Sequence, residues 1–272
     1  MFKIVFPQDK AISKEILNLA LPVILSNLSR VLMSMVDVAM VGRLGAEALA
    51  ATGMGAMLFW GALSVVLGIR TAVQTVSSRR LGQNIDHEAG TALHNGLIMA
   101  TIYALPVSLG GWLWADDVLP FFINDTIATP LAVDYTAIVF ISLLFSAYSF
   151  VFQGFFTGVE KTKIHMKVTV TSNIINVYLN AGLIYGTENI TKFFTETTPP
   201  LSLVSVLWQW TTFPALGVKG AALGTLIAST WMAFHYFTFL FSSQIKDRFA
   251  VFKPTIDSSM MRRQLRLAAP QG

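Results

Sequence analysis

The chain has 272 residues, of which 54% are hydrophobic and only 12% are charged, and its mean hydropathy is +0.60. Soluble domains carry about 25% charged residues, so this composition excludes an ordinary soluble domain and predicts a membrane protein. The formal net charge is +4, but the basic residues lie in separate loops, which argues against a nucleic-acid-binding face. The chain has no cysteine, which excludes disulfides and thiolate chemistry.

Six apolar runs, separated by polar segments, are each long enough to cross a bilayer, which takes about 20 helical residues. They predict an all-α integral membrane protein, a six-transmembrane-helix bundle with spans at 16–41, 47–76, 91–115, 131–157, 167–186 and 215–242. The connection 187–214 contains an apolar stretch that is too short to span, and its Trp208 and Trp210 suit a membrane interface. We expect this connection to lie on the external surface or to re-enter the membrane.

The distribution of Lys and Arg predicts the orientation of the bundle, because cytoplasmic loops carry an excess of basic residues. The third–fourth connection, on the opposite side, is acidic. The N-terminus is therefore predicted to be cytoplasmic. Fourteen basic residues fall on one side, namely Lys3, Lys10, Lys14, Arg79, Arg80, Lys161, Lys163, Lys167, Lys246, Arg248, Lys253, Arg262, Arg263 and Arg266, against Arg43, Lys192 and Lys219 on the other.

The end of the chain repeats the start of the first span. Residues 265–270 (LRLAAP) match 17–22 (LNLALP) at four of six positions, and both copies begin on the predicted cytoplasmic side. Parallel repeats of six-span units are a known transporter architecture. We therefore expect a six-span N-lobe over 1–242, a cytoplasmic inter-lobe linker over 243–262 and the start of a truncated C-lobe, with its seventh helix, over 263–272. If Gly272 were the true terminus, a six-span homodimer would be the alternative.

Asp37 is the most informative residue, because it lies inside the first apolar span. An ionised carboxylate in hydrocarbon costs roughly 2.5–3.5 kcal/mol on insertion scales, so such residues usually face a protein interior or a wet cavity. A titratable group kept at this depth points to ion-coupled transport.

Two spans carry polar stripes at helical spacing. The first presents Asn27, Arg30, Ser34 and Asp37, and the fifth presents Thr169, Asn173, Asn176 and Asn180. Such residues often only hydrogen-bond across a helix interface. A formal charge is not needed for that purpose, so Asp37 favours a functional interpretation.

The depths of these groups below the outer ends of their spans allow Asp37, Asn176, Asn180 and Thr225 of the sixth span to meet in the outer half of the lobe. Their carboxylate, amide and hydroxyl oxygens suit a proton or a hard cation such as Na⁺. Asn27, Arg30, Ser34 and Asn173 are secondary candidates. Arg30 lies about 10 Å along the axis from Asp37, too far for a direct pair.

Other chemistry is not indicated. The four histidines, at 87, 94, 165 and 235, lack the spacing of a zinc helix, and no metal site is assigned. Serine-hydrolase and zinc-protease motifs are absent from the sequence, as are paired carboxylates within a span, which disfavours an enzyme.

Four stretches of the sequence form a recognisable set. The first span runs from Leu19-Ala-Leu-Pro22 to Asp37-Val-Ala-Met-Val-Gly42-Arg-Leu-Gly45, and the second ends in the turn Arg80-Leu-Gly82-Gln-Asn. The fourth–fifth connection is Gln153-Gly154-Phe-Phe-Thr-Gly158-Val-Glu160-Lys-Thr162-Lys, and the fifth and sixth spans contain Asn173-Ile-Ile-Asn176-Val-Tyr-Leu-Asn180 and Leu216-Gly-Val-Lys-Gly220-Ala-Ala-Leu-Gly-Thr225. Together these stretches resemble the multidrug and toxic compound extrusion (MATE) transporters. The resemblance covers nearly the whole chain.

The resemblance implies twelve spans in two lobes, alternating access and export driven by H⁺ or Na⁺ entry. It would make Asp37 the coupling carboxylate of the N-lobe, with Asn176 and Thr225 as companions. Where some members have Asp one turn after the asparagine matching Asn176, this chain has Asn180, so a site that relies on two charges is in doubt.

The sequence therefore predicts a secondary active antiporter that exports organic, often cationic, amphiphiles. It would sit in a plasma membrane, such as the bacterial inner membrane. The partners expected are a small-molecule substrate, the lipid bilayer and the missing C-terminal lobe, with no nucleic acid and no cofactor beyond the coupling ion. The alternative is a lipid-linked oligosaccharide flippase of the same superfamily. Such flippases line their cavity with several basic residues, whereas only Arg30 and Arg70 lie within spans here.

Overall fold

The computed structural model describes residues 10–196, 201–208 and 210–269. Ten α-helices are formed there: α1 (Lys10–Gly42), α2 (Ala46–Gly82), α3 (Asp86–Leu113), α4 (Ala115–Val118), α5 (Ala128–Gly158), α6 (Thr162–Tyr185), α7 (Thr187–Glu196), α8 (Val218–Phe239), α9 (Ser243–Lys246) and α10 (Ser258–Ala268). Short 3-10 segments occupy Leu119–Phe121 and Leu201–Trp208. The described residues contain no strand, so the all-α prediction is confirmed.

The six long helices α1, α2, α3, α5, α6 and α8 correspond to the six predicted spans. Most of them extend beyond the predicted bounds, because hydropathy detects only the apolar part of a helix and its backbone hydrogen bonds continue into the polar region. Four stretches are apolar and long enough to cross a membrane by length and composition, namely Ile12–Gly42, Ala46–Gly82, Asp86–Leu113 and Ala128–Gly158. Helices α6 and α8 also have the length of a span. They are less apolar because they carry Asn, Thr and His side chains.

Helix α5 is the centre of the bundle and packs against α2, α3 and α8. Its approach to α2 is close because Gly154 and Gly158, one turn apart, lie against the backbone carbonyls of Arg70 and Gln74. Small residues at this spacing let two membrane helices pack backbone to backbone. The core beside this contact is built from large buried side chains, including Leu63, Leu93, Leu143, Phe155, Phe156 and Tyr236.

The connection between α6 and α8, predicted to be external, packs on the C-terminal half of α6. Trp208 is buried, stacks on Tyr178 with ring centroids 5.2 Å apart, and donates a hydrogen bond from Nε1 to the Tyr178 carbonyl. Trp210 is 86% exposed. The segment Leu201–Trp208 therefore lies across the end of the bundle.

The connection after α8 is held on the N-terminal half of α3 at the predicted cytoplasmic end. Buried Asn95 pairs with the backbone of Asp257, donating from Nδ2 to the carbonyl at 3.0 Å. Phe249 is fully buried in the core, and its carbonyl lies directly against Gly90. The linker residues after α8 thus follow a defined path over the lobe.

Helix α10 begins at Ser258 and includes the first four residues of the repeat 265–270. Asp257 caps it, because its Oδ1 accepts hydrogen bonds from the backbone N–H groups of Ser259 and Met260. These bonds, together with one from the Ser259 hydroxyl, hold the pKa of Asp257 below its usual range. Met260, Gln264 and Ala268 form the buried face of α10 against α2 and α3. Pro270, the last residue of the repeat, lies outside the described residues.

Candidate functional site

A cavity of about 300 Å³ opens between α1, α2, α5, α6 and α8, in the half of the bundle that is predicted to be external. Its polar lining includes Asp37 and Ser34 of α1, Thr52 of α2, Tyr135 of α5, Asn180 of α6 and Thr225 of α8. Aromatic and apolar side chains such as Met33, Phe59 and Trp60 complete the wall. The cavity therefore combines an apolar surface with a few convergent polar groups, the usual composition of a small-molecule site.

Asp37 meets α6 through one amide. Asn180 Nδ2 donates to Asp37 Oδ1 at 2.8 Å and also lies 3.1 Å from Asn176 Oδ1. Asn176 and Asn180 are both buried, one turn apart on the same face. The carboxylate is thus connected to two neutral amides. In the described part of the chain, no Lys or Arg lies within salt-bridge distance of it.

Helix α8 approaches Asn180 closely at Gly224. A Cβ atom placed on Gly224 would lie 1.9 Å from Asn180 Oδ1, so only glycine leaves room for the amide in this position. Thr225, the next residue, lines the cavity, and its hydroxyl donates to the Ala221 carbonyl at 3.0 Å. The structure therefore places Asp37, Asn180 and Thr225 on one cavity, whereas Asn176 lies outside its lining and is connected to it through Asn180.

The secondary candidates separate into two groups. Arg30 and Ser34 line the same cavity as Asp37, whereas Asn27 and Asn173 do not. Asn173 Nδ2 instead donates to Ser29 Oγ at 2.7 Å across the contact between α1 and α6. This is the interface role that intramembrane asparagines often have.

The contact between α1 and α6 is a polar seam. Both helices run from the predicted cytoplasmic side outward. Three hydrogen bonds follow one another along it: Asn173 to Ser29, Asn180 to Asp37 and Tyr185 Oη to the Met40 carbonyl at 2.6 Å. Asp37 alone among these α1 partners contributes a formal charge and faces the cavity.

A second polar cluster lies at the predicted cytoplasmic end, around His165, for which the sequence predicted no role. His165 Nδ1 lies 2.6 Å from Tyr236 Oη, and His165 Nε2 lies 2.9 Å from Gln153 Nε2. Thr169 Oγ1 is 3.2 Å from the same imidazole. All four side chains are buried and come from α5, α6 and α8. In the sequence, the one sign of this network is the position of Thr169 on the polar stripe of α6.

Metal-ligating side chains do not gather elsewhere. Within the described ranges, no group of three or more His, Asp or Glu side chains is placed to hold a metal ion. Beside Asp37, Asn180 Oδ1 is buried without a hydrogen-bond partner.

Known proteins of similar sequence are named multidrug resistance proteins. A family profile described as MatE matches residues 22–181. The multidrug resistance protein NorM of Burkholderia vietnamiensis is 25% identical over 218 residues, which cover 80% of this chain and 42% of the relative. The probable multidrug resistance protein NorM of Rhodopseudomonas palustris is 25% identical over 258 residues, covering 94% and 49%. The chain spans about half the length of the curated relatives it matches.

Solved transporters share the fold. A MOP superfamily transporter from Pyrococcus furiosus and an outward-facing multidrug resistance MATE family transporter each superpose with a TM-score of 0.78 at 20% identity. Each superposition covers 95% of this chain and 51% of the solved chain. An inward-facing MATE family structure gives a TM-score of 0.70. At this identity the likeness establishes the fold.

The fold is a bundle of six long helices that superposes on about half of each of these solved chains. The chain belongs to the MatE family, whose profile covers residues 22–181 of its 272. The resemblance seen in the sequence is thereby confirmed, and the family is one of transporters rather than enzymes.

Proposed function

We propose that the full-length protein is a secondary active antiporter that exports organic, often cationic, amphiphiles in exchange for H⁺ or Na⁺. The observation that carries this proposal is the environment of Asp37. Its carboxylate lies inside an apolar helix, faces the cavity and is held by the neutral amide of Asn180. A charge in such a place is costly unless the protein uses it.

Binding of the coupling ion at Asp37 would change the charge of the site by one unit. Asn180, Asn176 and Thr225 would act as companions that orient the carboxylate and supply oxygen atoms. A charge change at a buried site can shift the balance between two helix packings that differ by a few kcal/mol. Ion binding would in this way favour one side of the membrane and substrate binding the other.

The domain organisation supports the same proposal. Residues 1–242 would form the N-lobe, 243–262 the linker and 263–272 the start of the C-lobe that completes the cavity. The protein would lie in a bacterial inner membrane with its N-terminus in the cytoplasm, in line with the loop charges. The names of the NorM relatives favour multidrug export over the flippase alternative.

The decisive experiment compares Asp37→Asn with the wild type in the full-length protein. The amide is nearly isosteric and can still accept the hydrogen bond from Asn180, but it cannot titrate or carry charge. We expect unchanged thermal stability and loss of gradient-driven efflux in proteoliposomes, tested with proton and Na⁺ gradients across a panel of dyes. Asp134→Asn is the matched control, because Asp134 forms a half-exposed ion pair with Lys219, 3.1 Å long, outside the cavity lining.

Two outcomes would contradict the proposal. Normal gradient-driven efflux by Asp37→Asn would remove this residue from coupling. A lowered melting temperature with transport preserved in the surviving protein would instead assign Asp37 to the seam between α1 and α6.

A further inference from the structure

Two arginines of different helices converge on one strip of α5. The Arg30 Cζ of α1 lies 5.6 Å from the centre of the Phe150 ring. The side-chain stem of Arg70 of α2 packs at Gly154, its Cγ being 3.3 Å from the position that a Cβ would take there. Phe150 and Gly154 are one turn apart and therefore share a face of α5.

Neither arginine is neutralised. In the described part of the chain, no carboxylate lies within salt-bridge distance of Arg30 or Arg70. The Nε of Arg70 is buried and has no hydrogen-bond partner. Two unpaired like charges in a membrane lobe are unfavourable, because buried cations are normally paired or functional.

In the described part of the chain, hydrogen-bonding groups lie beside the pair, and no carboxylate is within salt-bridge distance of either guanidinium. The buried network of His165, Tyr236 and Gln153 lies beside them, since Gln153 directly precedes Gly154 on α5. These side chains fix the wall beside the arginines without compensating their charge. A guanidinium presents several N–H donors in a planar fork, which matches carboxylate, sulfonate and phosphate oxygens.

We propose that Arg30 and Arg70 form an oxyanion-binding subsite that holds the acidic group of a bound amphiphile. Arg30 also lines the cavity of Asp37 and lies seven residues before it on α1, about 10 Å along the axis. The cavity would thus have a negative end at Asp37 and a positive end at the two arginines. It would accept anionic or zwitterionic amphiphiles besides cationic ones. This inference rests on the proposed function, since it treats the cavity as part of the substrate path.

The test measures equilibrium binding of two related dyes to the full-length protein in nanodiscs of neutral lipid. Carboxyfluorescein is the anionic probe and rhodamine 6G the cationic probe, and fluorescence anisotropy reports binding. We expect Arg30→Gln, Arg70→Gln and the double variant to bind carboxyfluorescein about tenfold more weakly or worse, with rhodamine binding retained. Arg43→Gln is the matched control, because Arg43 also lies over an aromatic ring, Phe193 at 5.0 Å, near the outer end of α1.

A folded double variant that binds carboxyfluorescein as tightly as the wild type would overturn the proposal. A second measurement needs no variant: the anionic dye should protect Arg30 and Arg70, but not Arg43, from phenylglyoxal modification detected by mass spectrometry. Absence of such protection would equally refute the subsite. Both readouts work without an ion gradient, so they separate a failure of the subsite from a failure of coupled transport.

The source of the oxyanion is distinguished by the lipid composition. If a lipid headgroup competes for the arginines, phosphatidylglycerol added to the nanodiscs should weaken dye binding to the wild type but not to the arginine variants. Unchanged dye binding would assign the subsite to soluble amphiphiles.

Discussion

The tightest contact of the candidate site predicts the effect of a single methyl group. Gly224→Ala would place a Cβ 1.9 Å from Asn180 Oδ1, 3.0 Å from its Cγ and 3.3 Å from its backbone nitrogen. An ordinary contact needs more than about 3 Å, so the amide has to move by at least about 1 Å or α8 has to shift. The amide is planar, so displacing its oxygen also displaces the Nδ2 that bonds Asp37 at 2.8 Å.

The expected cost follows from three terms. Overpacking a well-packed contact costs about 1–3 kcal/mol. Losing a hydrogen bond to a charged group costs about 1.5–3 kcal/mol, if relaxation takes that route. Alanine recovers about 1 kcal/mol through its higher helix propensity. We therefore expect a net destabilisation of about 1.5–5 kcal/mol if the hydrogen bond to Asp37 is lost, and of about 0–2 kcal/mol if α8 shifts instead, together with reduced coupled efflux.

The control is the same substitution at Gly53. This residue lines the same cavity, but a Cβ on it would meet nothing within 4 Å. Gly53→Ala should melt at or slightly above the wild-type temperature. Melting is measured in detergent by intrinsic fluorescence, and efflux on the same preparations in proteoliposomes.

A double-mutant cycle with Asn180→Ala isolates the contact, because removing the amide should remove the penalty of Gly224→Ala. If Gly224→Ala melts and transports like Gly53→Ala, the reasoning from the Asn180 contact is wrong. The same conclusion holds if the penalty persists unchanged in the Asn180→Ala background.

Two further predictions concern the ends of the lobe. In this cysteine-free chain, a single cysteine at Asp125 should react with an impermeant reagent from outside and one at Lys163 should not; the reverse pattern would overturn the topology. Asp257→Ala should speed amide exchange at Ser259 and Met260, with Asp247→Ala in the same linker as control. Because the pKa of Asp257 is lowered in the folded protein, its capping of α10 should persist above the usual carboxyl pKa and fade as the pH falls through the lowered value. Amide exchange that does not respond to Asp257→Ala would contradict the capping role.

Hydropathy was sufficient to predict the all-α, six-helix architecture. The six helices follow from runs of apolar side chains, because a segment in lipid must satisfy its backbone hydrogen bonds internally and expose apolar groups. Asp37 stood out for the same reason, since one carboxylate in such a run is conspicuous without any knowledge of its neighbours. Helical spacing also placed Asn176 and Asn180 on one face, which is a property of a single helix.

Contacts between helices required the tertiary structure. Asn173 and Asn180 belong to the same stripe, yet one bonds Ser29 away from the cavity and the other bonds Asp37. The partner depends on which α1 residue lies at the same depth. Likewise, Gly224 against Asn180 and the two arginines against α5 join segments far apart in the sequence. Periodicity within one helix determines its own faces, whereas the azimuth and height of its neighbours depend on how all the side chains of the bundle pack together.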